Sequence, residues 1–80
     1  GDNEVRERLA VLYADHYGRL DLAVAELEQM IQQPNQPAKL VVHWLNVLAD
    51  LQVRGGAELE DIRETLHRIV DRDPKAAAAE

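Results

Sequence analysis

Residues 37–53, PAKLVVHWLNVLADLQV, carry the broadest apolar surface in the chain. Placed on a helix at about 100° per residue, Leu40, Val41, Trp44, Leu45, Val47, Leu48 and Leu51 fill an arc of roughly 160°. Val42 and Ala49 widen it to about 220°, leaving His43, Asn46 and Asp50 as a polar strip. A surface helix buries a stripe of about 100° or slightly more. This segment therefore needs neighbours on at least two sides and is expected at the centre of the fold, with the single Trp in its core.

Three further helices flank it. Asn3 is placed to cap the first, on which Val5, Leu9, Leu12 and His16 share one face with Tyr13 and Tyr17 at its edge. Gly18 stops it, glycine being at ease in the left-handed conformation. The second carries Leu20, Ala23, Val24, Leu27, Met30 and Ile31 on one face and ends at Pro34. Pro37 suits the first turn of the central helix, and Gly55-Gly56 closes it. The fourth gathers Leu59, Ile62, Leu66, Ile69 and Val70 in an arc of about 100°, with Glu58, Glu60 and Asp61 favourably placed at its N-terminal end. Pro74 stops it before an alanine-rich stub.

The chain matches itself at an ungapped shift of 39 positions. Val5 falls on Trp44, Leu9 on Leu48, Ala10 on Ala49 and Leu12 on Leu51. Leu20 falls on Leu59, Ala23 on Ile62, Leu27 on Leu66, Met30 on Ile69 and Ile31 on Val70. A register kept through both helices and the turn points to a helix-turn-helix repeat, the period of a solenoid. The expected architecture is all-α: four helices as two helix-turn-helix repeats, residues 3–34 and 37–73, in one domain spanning 1–80, with 74–80 a stub or the start of a further helix.

Trp44-x2-Val47-Leu48-x2-Leu51, a glycine turn, then Leu59, Leu66, Ile69 and Asp73-Pro74 resemble a tetratricopeptide repeat, as does Gly18-x2-Asp21-x-Ala23-x3-Leu27-x3-Ile31. The pattern is divergent: the spacing exceeds the family's ~34 residues, Ile62 stands where the family has a small alanine, and Val5 replaces an aromatic. The resemblance implies a right-handed superhelix whose first-helix faces line a groove for a protein or peptide. By position that groove would hold Asn3, Arg6, Ala10, Tyr13 and Ala14, then Val42, Leu45, Ala49, Gln52 and Val53. Ala10 and Ala49 occupy places where family members that clamp a C-terminal carboxylate have asparagine, so an apolar-leaning groove is implied instead. Packing of Val42, Leu45 and Ala49 on the first and fourth helices is the competing reading.

Composition narrows the function. Nine Lys and Arg against 15 Asp and Glu leave a net charge of −6, a poor match for nucleic acid or an anionic membrane. The fourth helix sets Arg63, Arg68 and Arg72 among Glu60, Asp61, Glu64 and Asp71, which does not suit a DNA-reading helix. No run is long enough to span a bilayer, and the absence of cysteine excludes disulfides and thiolate metal sites while leaving the compartment open. Thr65 has no histidine beside it, and His16, His43 and His67 are too scattered for a helical metal pair. His16 is expected to pack or to cap its helix end, and His43 and His67 to face solvent. Glu26, Glu28, Glu58, Glu60, Asp61, Glu64 and Asp71 are expected on a solvated face, with Glu64 pairing Arg68 one turn on. No enzyme activity, cofactor or metal is expected. The reading is a non-catalytic module for binding a protein or peptide, cut from a longer repeat array, with self-association as a homodimer as the alternative.

Overall fold

The computed structural model describes residues 2–72, so the expectations placed on residues 73–80 lie outside the described residues. Four helices run α1 (Asp2–Asp15), α2 (Leu20–Ile31), α3 (Ala38–Gly55) and α4 (Leu59–Arg72), and the described residues contain no strand. Asn3 lies inside the first turn of α1 rather than capping it. Pro37 caps α3, and its carbonyl accepts from the amides of Leu40 and Val41 at 3.0 and 3.1 Å. Its ring fixes φ near the value a helix entry needs and gives up no hydrogen bond there.

The two glycines that close α3 do different work. Gly56 adopts φ +74°, the left-handed stop that a side chain would strain. Gly55 is still helical, but a Cβ there would lie 2.9 Å from Leu20 Cδ2, so its bare backbone lets the start of α2 sit against the end of α3. α1 packs on α2, α2 on α3 and α3 on α4, with a lighter approach between α1 and α3. Among the described residues no close backbone approach joins α1 or α2 to α4, and the assembly is a slab of 37 × 31 × 16 Å.

α3 is the centre, as its arc requires. Val41, Trp44, Leu45, Leu48 and Leu51 are all at most 2% exposed, and His43, Asn46 and Asp50 form the open strip. They join Ala10, Ala23, Leu27, Met30, Ile31 and Ile69 in one core. Burying a large aliphatic side chain contributes about 1.5–3 kcal/mol, so this cluster is the main source of stability.

The end helices depart from the expected pattern. Val5, Leu9 and Leu12 of α1 are 67%, 38% and 43% exposed, and the side that packs is the one bearing Arg6, Ala10, Tyr13 and Ala14. Ala10 is wholly buried because a methyl group lets α1 approach α2 closely. In α4 the single stripe splits: Ile69 and Thr65 are buried and Ile62 half-buried, while Leu59, Leu66 and Val70 face outward. Among the described residues α1 packs mainly on α2 and α4 on α3, so one side of each end helix is covered.

Candidate functional site

Of the ten residues that the family pattern assigns to a groove, most fall in the two hairpin seams, while Val53 is exposed. Arg6 donates from Nε to Glu26 Oε1 of α2 at 2.6 Å and from Nη2 to Gln29 at 3.3 Å. Tyr13, one turn below Ala10, is half-buried against the core. In the second seam Leu45, Ala49 and Gln52 lie along one face of α3 and are 0%, 8% and 6% exposed. Gln52 Oε1 accepts from Thr65 Oγ1 of α4 at 2.7 Å. These three present no open surface; burial against the partner helix takes up the face that a groove would need. Val42 is half-buried against the core, and Asn3 lines a shallow cleft of about 410 Å³ between α1 and α3 with Glu7, Leu40 and His43. There His43 Nε2 lies 2.7 Å from Glu7 Oε1, so His43 is solvent-side yet partnered.

A larger cleft, about 530 Å³, opens between α2, the end of α3 and α4. Its floor is Leu20 and Val24, and its walls carry Asp21, Glu58, Asp61 and Glu64 around the pair Glu28–Arg68. Arg68 meets Glu28 in a two-pronged contact at 2.8 and 2.9 Å, in place of the pairing with Glu64 expected one turn away. That geometry holds the guanidinium above its ordinary pKa, against partial burial. Glu26 likewise pairs across the hairpin rather than standing in a solvated row. Thr65, the one hydroxyl here, is engaged by Gln52 and by the Asp61 carbonyl at 3.1 Å. Among the described residues every buried side-chain polar atom has a partner, and no group of three His, Asp or Glu is arranged to hold a metal ion. The cleft joins the helices through a satisfied polar network.

The histidine at the end of α1 is exposed and stacks edge-on with Tyr17, ring centroids 4.8 Å apart, rather than packing into the core. Arg54 ties the C-terminal ends of α3 and α1 together, reaching Asp15 at 3.0 Å and Asp50 at 3.1 Å. Its pKa is raised chiefly by the hydrogen bond to Asp15.

Part of the remaining exposed surface is apolar, and its portion on α1 has no counterpart in the sequence reading. Val5, Leu9 and Leu12 form an exposed stripe along α1, and Leu59, Leu66 and Val70 form another along α4. Leu66 and Val70 line a shallow apolar depression with Arg63 and His67. One signal was available: Ala10 and Ala14 are the small residues that admit a neighbouring helix, and they lie on the opposite side of α1 from the leucines. No helix among the described residues is long and apolar enough to cross a membrane. No family model, curated protein or solved structure matches the chain.

Proposed function

We propose that the chain is a non-catalytic interaction module built from two tetratricopeptide-like hairpins and that it binds protein through the outer faces of α1 and α4. The observation that carries this reading is the pair of exposed aliphatic stripes, since an exposed contiguous apolar surface marks a site of interaction. The repeat reading has support in two places. α2 and α4 begin 39 residues apart, at Leu20 and Leu59. Equivalent positions also make both hairpin seams, Arg6, Ala10 and Tyr13 in the first and Leu45, Ala49 and Gln52 in the second. In this reading the protein-binding surface is not the groove face, because Arg6, Leu45, Ala49 and Gln52 of that face are engaged inside the hairpins. Self-association through the same stripes is the second reading, favoured by their aliphatic character on both end helices.

Photo-crosslinking in cells tests the proposal. A photoreactive residue at Leu9 or Leu66 is expected to capture a protein, whether another copy or a different chain. The same residue at Asn46 or Asp50, on the polar strip of α3, is expected to capture none. Capture at neither apolar position, or equal capture at all four, overturns the assignment.

A further inference from the structure

We infer that the two exposed stripes are complementary halves of one interface and that the α1 face of one copy docks on the α4 face of a second, head to tail. This deepens the interaction reading above and rests on it. The molecule already contains the template for the contact. At the α2–α3 junction, Leu20, Leu27 and Ile31 of α2 share a core with Trp44, Leu48 and Leu51 of α3, and Leu20 closes against Gly55. Shifted by 39 positions, the α3 side of that junction becomes Val5, Leu9 and Leu12, and the α2 side becomes Leu59, Leu66 and Val70.

The exposure values fall in matched pairs. Trp44, Leu48 and Leu51 are each 1% exposed, against 67%, 38% and 43% for Val5, Leu9 and Leu12. Leu27 and Ile31 are 0% and 3% exposed, against 49% and 42% for Leu66 and Val70. Residues that the shared core buries in α2 and α3 are left open at the matching places in α4 and α1, so one copy presents both halves on its two end helices. Two such halves can meet only between copies.

Charge favours the antiparallel alignment at one end only. Asp2 and Glu4 in the first turn of α1 would lie opposite Arg72, with Asp71 beside it, whereas the other end sets Asp15 against Glu60 and Asp61. Two departures make the contact weaker than its template: Arg63 replaces Val24 in the α4 stripe, and His16 replaces Gly55 at the end of the α1 stripe. Because the two faces differ, the contact is heterologous and does not close on itself after two copies.

Sedimentation equilibrium of the 80-residue chain over concentrations up to about 0.5 mM, suited to a weak contact, tests this. The weight-average mass is expected to rise with concentration past twice the 9.0 kDa of one chain. Leu12→Glu blocks one face and Leu66→Glu the other, so each variant alone is expected to stay monomeric. Their equimolar mixture is expected to form a complex of two copies and to stop there. Circular dichroism checks folding, and Val5→Glu and Val70→Glu replace either variant that loses helix. A wild-type chain that stays monomeric throughout overturns the inference, as does a mixture that fails to associate. A closed dimer abolished by one variant and untouched by the other also overturns it, because that is the mark of two identical faces. If the wild type is monomeric while residue 66 still captures a different protein in cells, the copy-to-copy pairing fails and the interaction reading stands; if neither stripe captures anything, the interaction reading itself fails.

Discussion

α1 and α3 carry nearly the same apolar spacing, and the fold treats them oppositely. Trp44, Leu48 and Leu51 are enclosed, whereas Val5, Leu9 and Leu12 at the matching places face outward. The difference lies in the neighbours. α3 has α2 on one side and α4 on the other, so two faces are buried. α1 has its main contact with α2, and that contact falls on the face with the small residues Ala10 and Ala14. An amphipathic stripe is thus a capacity for burial, and a second helix must be present to realise it.

The largest expected effect is on Trp44. Trp44→Ala is expected to cost about 3–5 kcal/mol, a large share of the 5–15 kcal/mol that holds a typical domain. Val5→Ala, its counterpart on α1, should change stability by no more than about 0.5 kcal/mol. Urea denaturation of both variants checks this, and equal losses would break the contrast between the helices.

The seam between α3 and α4 comes next. Thr65 is 2% exposed and is the hydroxyl donor to Gln52. Thr65→Val keeps the shape and removes the donor, leaving a buried amide oxygen without it, for a loss of about 1–3 kcal/mol. The matching α1–α2 seam is held by Arg6 and Glu26, whose side chains remain 28% and 21% exposed. Arg6→Ala should cost less, about 1 kcal/mol or below, and added salt should shrink the difference from wild type. A salt-insensitive loss larger than that of Thr65→Val would reverse the ranking of the seams.

Tyr13 and Leu12 sharpen the comparison within α1. The apolar stripe read from sequence makes Leu12 the more important; packing makes it Tyr13, which lies against the core while Leu12 is 43% exposed. Tyr13→Ala is expected to lower stability by about 1–2 kcal/mol and Leu12→Ala by under about 1 kcal/mol. Thermal melts showing the opposite order would put the inward face of α1 on its leucines.

The smallest effect is electrostatic and lies on the open surface of α2. Asp21 is held below its ordinary pKa mainly by the hydrogen bond from Arg19, whose nitrogens lie 3.0 and 3.1 Å from its carboxylate. A lowered folded pKa means that the pair's contribution is present above the unfolded aspartate pKa of about 3.9 and fades as pH falls through the folded value. Carboxyl chemical shifts should show Asp21 titrating low, and Arg19→Ala should return it to the ordinary range. The pair should leave no pH dependence of stability between about pH 5 and 8, well above where the carboxyl titrates. A titration of Asp21 unchanged by Arg19→Ala would mean that the contact does not persist in solution.

Much of the fold was legible because local rules and tertiary packing agreed. The 220° arc of α3 needed two neighbours, Gly18 and Gly56 marked left-handed stops, and the stripe of α2 was buried as patterned. The candidate site was less legible. Arg6 reads as a groove residue until Glu26 and Gln29 are brought opposite it, and Arg68 reads as a partner of Glu64 until Glu28 arrives from α2. Both outcomes depend on residues 20 to 40 positions away, which no helical period encodes.

The sequence by itself determined four amphipathic helices, their order, their stops and the central place of α3, because those follow from side-chain spacing and backbone preference within each segment. Tertiary structure alone decided which side of α1 turns inward, how the stripe of α4 divides, and that Leu45, Ala49 and Gln52 close a seam. The physical reason is that a helix with apolar or small residues on two faces has two packed solutions of similar local energy. The choice between them is made by the shape and polar partners of the neighbour, here the close approach that Ala10 permits and the hydrogen bonds that Glu26 and Thr65 make across the hairpins.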